Sequence, residues 1–587
     1  MAGQNSAGLA PTITIEMYIL GLSAMTHDPA AALIGEQGVI AAIEEGKLTR
    51  TRTAEGIPRA AIQFCLERAG IDIKAVESIA VGSRPARSWR RQTLFRARLA
   101  PFAPASSGYF MSKAFGELSR ELNNFRLIKE MAGNPTARVR NFDHHLCHAA
   151  SAFFGSSYDH ALIVTLDEQG DGRSGSVTLG EGTRVREIES LAFPHSLSWV
   201  YSQVTRLLDF QPHSEEHKTQ WLSLAGEPLF LKLFLDALRN AAKGPPHLNQ
   251  KYFRRSYAGE LSFHDEFYRS LGLEPEAHSR IGDSLRANIA SSFNEACAVI
   301  LCEWFEALRQ KTDRRSLCLA GGLFLNPLLV AAIESNTGFE NVFVQPAAGN
   351  EGTALGAAWL AWHQKPGRTR MAPMASPYWG PEFSNEAVKS VLDNCKATYH
   401  WCDSEEEKFS ETVRLLHAGK IVAWYQGAAE FGPRALGDRS LLASPWSLYV
   451  KENLNDYVKH RESFRPFALA MPEEDCNEYF DYTPNARFLT TMAKAKEKGQ
   501  KLLAALPPGF LLKNNLVRLH AVSSGDNPLF WKLLKRSGEN APAPMLVNTS
   551  FNLFGEPLVI KPRDAVRSFF CSGADALVAG NFLLRKR

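Results

Sequence analysis

Two histidines four residues apart, His144 and His148, lie in the stretch Asn-Phe-Asp-His-His-Leu-Cys-His-Ala-Ala at 141–150. On a helix that spacing stacks both imidazoles on one face, where they can grip a divalent metal. Nineteen residues beyond His148 stands Asp167, after the apolar run 161–166 and at the start of the polar glycine turn 167–172. Two helical imidazoles and a carboxylate at a strand end make a three-donor set that leaves positions for a substrate. The same spacing also suits a solvated helix start with Asp143 as its N-terminal cap. A second chemistry gathers in the last third of the chain. Arg434 and Arg439 sit between glycines in 427–440, Lys459, Arg461 and Arg465 crowd 459–465, and Arg518 and Ser550 follow. Arginine offers a planar fork and lysine a compact charge, so such residues in short polar turns point to a small-anion pocket. Lys451 and Arg461 read as a solvated basic face, whereas Arg465 and Ser550 are embedded in apolar sequence.

The elements that must position these groups are legible from periodicity. A strand at 18–23, a turn holding His27 and Asp28, and two strands at 30–34 and 39–44 open the chain. The layout returns at 161–189, with strands at 161–166, 174–179 and 184–189, which predicts a duplicated core. In each copy the turn, including Gly170 in the second, can present backbone N–H groups to phosphates. Helices are predicted at 59–70, 113–131 and 280–310, the last from Ile289, Phe293, Ala296, Ile300, Trp304 and Leu308 at helical spacing. A strand at 316–319 runs into Gly321-Gly322 and Asn326, then a helix. A second glycine turn, 346–352, holds Asn350 before a helix at 353–362. Two strand–glycine–helix junctions point to a nucleotide site.

The chain has 587 residues, 45% of them hydrophobic, and a net charge of +4, which gives no global electrostatic case for nucleic acid. The arginine-rich segment 84–98 reads as a cationic amphipathic helix on the core. Nine scattered cysteines without paired C-x-x-C motifs suit reduced thiols in a cytoplasmic enzyme. Residues 1–16 read as a disordered lead-in without signal-peptide character, and no apolar run is long enough to span a membrane. A Pro/Gly/Ser-rich stretch at 364–384 divides an N-terminal part, 17–363, from a C-terminal part, 385–587.

The ordered motifs resemble the O-carbamoyltransferases of antibiotic-tailoring and nodulation-factor pathways (NodU/TobZ type). They are Thr-His-Asp-Pro-Ala-Ala-Ala-Leu from 26, His-His-x-x-His-Ala from 144, Glu-x-Lys from 216, Gly-Gly-x-x-x-Asn from 321, Gly-Pro-Arg-Ala-Leu-Gly-x-Arg-Ser from 432, Lys-x-Arg-Glu-x-Phe-Arg-Pro-Phe from 459 and Asn-Thr-Ser-Phe-Asn from 548. The resemblance implies an α/β chain, with a duplicated actin-like ATPase-type domain followed by a YrdC-like domain. It implies that carbamoyl phosphate and ATP, the latter with Mg, form carbamoyl adenylate in the C-terminal domain. The carbamoyl group then passes to a hydroxyl of a small natural-product acceptor in the N-terminal domain.

By the same resemblance Arg434, Lys459, Arg465, Arg518 and Ser550 hold carbamoyl phosphate, with Lys459 and Arg434 catalytic. His144, His148, Asp167 and Asn350 hold the metal, usually iron. His27 is the general base for the acceptor, and Gly170, Gly321, Gly322, Asn326 and Asn350 contact the nucleotide. A homodimer is the family's implied assembly. Two departures stand out: Asn350 replaces the usual aspartate ligand, with Glu351 beside it, and His520 replaces the glutamine of Arg-x-Gln. The competing readings are threonylcarbamoylation of tRNA or hydrogenase maturation, and an inactive nucleotide-binding scaffold. Acceptor choice is expected to lie in the inserts at 84–130 and 228–275.

Overall fold

The computed structural model describes residues 17–24, 27–84, 119, 122–131, 138–239, 243–255, 261–274 and 281–586. The lead-in 1–16 and nearly all of the basic segment 84–98 therefore lie outside the described residues, as does most of the helix expected at 113–131 before its helical end at 122–131.

The first sheet contains β1 (Tyr18–Ser23), β2 (Ala30–Gly35), β3 (Gly38–Glu44), β4 (Val76–Val81) and β5 (Arg138–Asn141) in the order β3-β2-β1-β4-β5. The second contains β6 (His160–Gly170), β7 (Arg173–Glu181) and β8 (Arg184–Ala192), a short hairpin of β9 (Phe253–Arg255) and β10 (Leu261–Phe263) standing apart, then β11 (Ser316–Ala320) and β12 (Asn341–Val344). Its order, β8-β7-β6-β11-β12, repeats the first. In both sheets the first strand pairs antiparallel with the second and parallel with the fourth. The predicted duplication is thus present in topology as well as in strand pattern.

β2 is buried along its whole length, so its sheet is covered on both faces. Between the two sheets lie the helices His144–Gly155 and Gly352–His363, whose small residues share one core with Ile19, Ala30 and Ile163. The long helix Asp283–Thr312 covers the far face of the second sheet through Ile289, Phe293, Ala296, Ile300, Trp304 and Leu308, the residues its periodicity singled out.

Past the Pro/Gly-rich stretch, eight strands form one mixed sheet. They are β13 (His400–Trp401), β14 (Val422–Tyr425), β15 (Arg439–Ala443), β16 (Ala468–Pro472), β20 (Leu519–Val522), β21 (Leu546–Ser550), β22 (Ala576–Ala579) and β23 (Phe582–Arg585). A small sheet of β17 (Phe480–Asp481), β18 (Ala493–Ala495) and β19 (Leu516–Val517) adjoins it. The molecule is an α/β protein with mixed sheets. Among the described residues no helix is long and apolar enough to cross a membrane.

One expectation needs correction. Asp167 does not open a turn, because β6 continues through it to Gly170. Asp171 and Gly172, with φ of 50° and 74°, close a two-residue hairpin there, and such turns let the flanking strands pair up to the loop. The register shifts between Leu166 and Gly170, so Asp167 sits on an irregular stretch that re-aims its side chain.

Candidate active site

The histidine helix begins at His144, with Asp143 as its cap accepting from the Leu146 N–H at 3.3 Å. Asp171, from the β6–β7 turn, accepts from the His144 N–H at 2.9 Å and from the Arg84 N–H at 3.0 Å. Two carboxylates at a helix N-terminus satisfy free N–H groups and complement the helix dipole. That turn therefore binds the helix start. At the other end Arg370 donates to the carbonyls of Phe153 at 2.5 Å and Ser156 at 2.9 Å, and also to that of Tyr158.

The helix so fixed brings three donors together. His144 Nε2 and His148 Nε2 are each 3.2 Å from Asp167 Oδ2 and 3.1 Å from one another, and all three residues are buried. Bonds of about 2.0–2.1 Å to one metal, set at octahedral or tetrahedral angles, place neighbouring donors roughly 2.9–3.4 Å apart. The triangle fits a divalent metal. Burial alone would raise the Asp167 carboxyl, but hydrogen bonds from His144 and His148 hold it well below the ordinary carboxylate range. Burial pushes His148 down, toward the neutral form a metal requires. His145 is different: it bonds to Thr165 Oγ1 at 3.1 Å and to the Arg173 carbonyl at 3.2 Å and is structural.

Gly170 is placed against this centre. A Cβ there would fall 2.0 Å from His144 Cδ2, so only glycine leaves room for the ring. Gly321, with φ of 101°, lets its strand end pass the Leu166 carbonyl, which a Cβ would meet at 2.2 Å. Gly322 lies 3.1 Å, by the same measure, from Asp167 Oδ1. Asn326 caps the helix Pro327–Asn336, accepting from the Leu328 N–H at 3.0 Å, and donates to Asn294 at 3.0 Å. Asn350 Nδ2 lies 3.1 Å from His27 Nε2, while its Oδ1 is buried without a hydrogen-bond partner among the described residues. Glu351 does not join the three-donor group. Burial and the neighbouring Asp28 and Glu44 raise its carboxyl to about 8.

A cavity of about 590 Å³ opens from His27, Asp167 and Gly322 and reaches Arg434, Lys459, Arg465, Arg518 and Ser550. Four of the cations expected from the sequence to hold an anion, Arg434, Lys459, Arg465 and Arg518, line it. Lys459, at the end of the π-helical segment Asn453–Lys459, donates to Asn552 Oδ1 at 2.6 Å and to Ser550 O and Oγ at 2.8 and 3.2 Å. Arg434 donates to the Leu325 carbonyl at 2.7 Å, across from the second repeat. Burial depresses Lys459 well below the ordinary lysine range, with Arg461 and Arg465 adding to it. Arg518 is depressed by burial and by Arg434, Arg461 and Arg465, and Arg434 falls to about 10 from burial and Arg465. Buried cations that repel one another, with Nε of Arg465 and of Arg518 unpartnered among the described residues, form a ready anion site.

Two basic residues were misread from sequence. Arg461 is not on a solvated face: it lines the cavity, lies 4.2 Å from the Phe467 ring centre, and is lowered to about 9 by burial and Arg465. Arg439 is fully buried outside the cavity, where it donates to the carbonyls of Pro381 and Gly427 at 3.0 and 3.1 Å and braces the turn. His520 sits behind the cavity with Nδ1 3.1 Å from Asn548 Nδ2, and burial lowers it to about 3, so it is neutral. Sequence reasoning missed Lys47, on the short helix Glu45–Thr49, and Arg52 and His213, on turns.

Residues 18–359 match the family model described as carbamoyltransferase N-terminus, and residues 413–586 match carbamoyltransferase C-terminus. A Synechocystis protein of uncharacterized function is 32% identical, with 97% of each chain covered. The nodulation protein NolNO of Sinorhizobium fredii is 30% identical over 96% of this chain and 79% of its own. NolO of Bradyrhizobium diazoefficiens is 31% identical over 76% and 79%. Among solved structures, HypF from T. kodakarensis aligns with a TM-score of 0.32 at 13% identity, covering 59% of this chain and 48% of that one. Matched along both of its parts by that family's models, the chain belongs to the carbamoyltransferase family.

Proposed function

We propose that the chain is an ATP-dependent O-carbamoyltransferase that makes carbamoyl adenylate and passes the carbamoyl group to a hydroxyl of a small-molecule acceptor. The observation that carries this reading is the shared cavity, with a three-donor centre at one end and a cluster of buried cations at the other. In the first step carbamoyl phosphate, ATP and water give carbamoyl adenylate, phosphate and pyrophosphate. Several phosphate anions must meet in that step, and their mutual repulsion is what Arg434, Lys459, Arg465 and Arg518 offset. Ser550 and the amide of Asn552 hold the Lys459 ammonium in register for it. Mg accompanies ATP as co-substrate.

In the second step the acceptor oxygen forms a bond to the carbamoyl carbon, the bond to AMP breaks, and AMP leaves with its electron pair. His144, His148 and Asp167, with Asn350 beside them, are the residues that would hold iron or another divalent metal. Bound there, the metal supplies Lewis-acid stabilisation of developing negative charge. Gly322 keeps the backbone low beside Asp167, so a phosphate can approach that carboxylate's neighbourhood. His27 contributes its hydrogen bonds at the transfer end. The domain reading follows: 17–363 as an actin-like ATPase-type transfer domain and 385–587 as a YrdC-like adenylate-forming domain.

The test is pyrophosphate release from purified protein with ATP, Mg²⁺ and carbamoyl phosphate, with metal analysis of the same sample. Release that depends on carbamoyl phosphate is expected. Its absence from folded, metal-loaded protein would overturn the reading. Lys459→Ala should abolish release.

A further inference from the structure

Among the described residues eight large apolar side chains stand exposed, and of these only Phe554, at 63%, lines the cavity. A single exposed apolar residue is ordinary on a protein surface. Phe554 differs in how its loop is held. The Val559 N–H closes the loop onto the Phe551 carbonyl at 3.0 Å, and the Glu556 N–H closes a turn onto the Leu553 carbonyl at 3.2 Å. Gly555, the third residue of that turn, has φ of 77°, which glycine adopts without strain. Asn552 donates from its side chain across the loop to the Glu556 carbonyl at 2.7 Å.

The loop is also tied from outside. Arg50, from the first repeat, donates to the carbonyls of Pro557 and Leu558 at 2.9 and 2.6 Å and pairs with Glu556 at 2.6 Å. Arg567 donates to the other Glu556 carboxylate oxygen at 2.8 Å. Lys459, of the cation cluster, donates to the side-chain and main-chain oxygens of Asn552 at 2.6 and 3.3 Å. Phe554 is thus the second residue of a turn fixed by three cations, with its ring exposed at the cavity. Asn552 precedes it by two residues, so their Cα atoms are at most about 7 Å apart. The ring therefore stands beside the anion-binding end of the cavity. Of the two co-substrates proposed for that end, carbamoyl phosphate is small and polar throughout. ATP joins an anionic chain to a planar ring with an apolar face.

We infer that Phe554 is the stacking platform for the nucleobase of ATP in the adenylate-forming step, while Lys459 and its neighbours hold the phosphates. The inference rests on the proposed adenylate chemistry. Every nucleobase has a π face, so the platform supplies affinity and does not read base edges. A fixed loop offers the ring ready-placed, so little ordering is needed when the base arrives. No bond forms or breaks at Phe554, and its effect is on the concentration of ATP the enzyme needs.

Phe554→Ala removes an exposed ring and leaves the anchored backbone in place. In the pyrophosphate-release assay the KM for ATP should rise about tenfold, in the range of base–aromatic stacking. The kcat and the KM for carbamoyl phosphate should be retained, the pattern of lost ground-state binding. Phe554→Trp, with a larger ring, should keep or lower the KM for ATP. Inorganic triphosphate carries the anion without the base, so it should inhibit the wild type and Phe554→Ala equally. An unchanged KM for ATP in Phe554→Ala would overturn the inference. So would a KM raised as much in Phe554→Trp as in Phe554→Ala, or weaker inhibition by triphosphate in Phe554→Ala, since both mark a loop that matters for its shape alone. A wild type that releases no pyrophosphate would sink the parent reading instead. Equilibrium dialysis with radiolabelled ATP then decides the role of the ring, with weaker binding expected in Phe554→Ala and equal binding overturning the inference.

Discussion

Lys47 places its ammonium on the main-chain carbonyl of Glu430, 383 residues further along the chain, at 2.7 Å. The same Nζ reaches the Gly432 carbonyl at 2.7 Å and pairs with Glu44 at 2.9 Å, while Glu44 accepts from the Gly432 N–H at 2.9 Å. Glu430 in turn gathers the N–H groups of Leu436, Asp438 and Arg439 on its Oε1, at 2.8, 3.1 and 3.3 Å. The turn that presents Arg434 is thus held from inside by Glu430 and from the first repeat by Lys47.

Removing that clamp should be costly. Lys47→Met leaves Glu44 buried and unpaired beside two unsatisfied carbonyls, a loss of about 3–5 kcal/mol. Urea denaturation should show a lower midpoint with an unchanged slope. Glu44→Gln added to Lys47→Met should recover part of the loss, because the uncompensated charge is gone. A single variant as stable as the wild type would show that the clamp is not needed. Pyrophosphate release should show a raised KM for carbamoyl phosphate as the Arg434 turn loosens.

Gly170→Ala tests the seat of the metal. The new methyl would overlap the His144 ring, whose Cγ lies 2.4 Å from that point, and swing the imidazole away from Asp167. Metal affinity should fall by about tenfold to a hundredfold, as when a group that orients a ligand is lost. Pyrophosphate release should persist, since the cation cluster is at the other end of the cavity. Metal content after dialysis checks it, and full retention would contradict the assignment of His144.

The cation cluster predicts a response to pH and to anions. Lys459 in the anion-free protein is depressed by burial, then by Arg461 and Arg465, below an ordinary lysine value of about 10.4. Between the depressed value and the ordinary one the unfolded chain binds a proton that the folded chain does not, so stability rises with pH across that window. Below it the charged ammonium is a standing cost. Inorganic phosphate restores favourable surroundings for the charge, so it should raise the melting temperature most at neutral pH and flatten the pH dependence. In Arg465→Met both effects should shrink. Equal stabilisation by sulfate, phosphate and chloride would point to general screening instead.

Much of this was readable from residues alone, and the reasons for the rest are physical. The i,i+4 histidines, the apolar strands and the six core residues of the helix Asp283–Thr312 carry their own periodicity. Arg461 was misread because its neighbours in sequence, His460 and Glu462, are polar, whereas its burial comes from Phe467 and the cavity wall. Lys47 and Arg50 were not singled out in the sequence, because the groups that hold them are far along the chain. Their partners, the Glu430 carbonyl and the Glu556 carboxylate, lie on loops of the C-terminal part. Asp167 was placed in a turn because strand termination was judged from polarity, and hairpin pairing carried β6 past it.

Asn350→Asp addresses the one donor whose chemistry departs from the resemblance. Asn350 offers a neutral amide oxygen, buried and unpartnered among the described residues, beside a centre whose one carboxylate is Asp167. A second carboxylate there adds a negative charge that a divalent cation rewards and that the metal-free protein must bear against Asp167. Chelator competition should show metal bound about tenfold or more tightly in the variant, as added ligand charge tightens a hard-cation site. Thermal melts of the metal-free forms should rank the variant below the wild type, and loading with metal should reverse the order. The substitution also puts a carboxylate where the amide now lies 3.1 Å from His27 Nε2, and that carboxylate can accept from the ring. Unchanged metal affinity would remove Asn350 from the ligand set and leave its amide as a hydrogen-bonding partner of His27 alone.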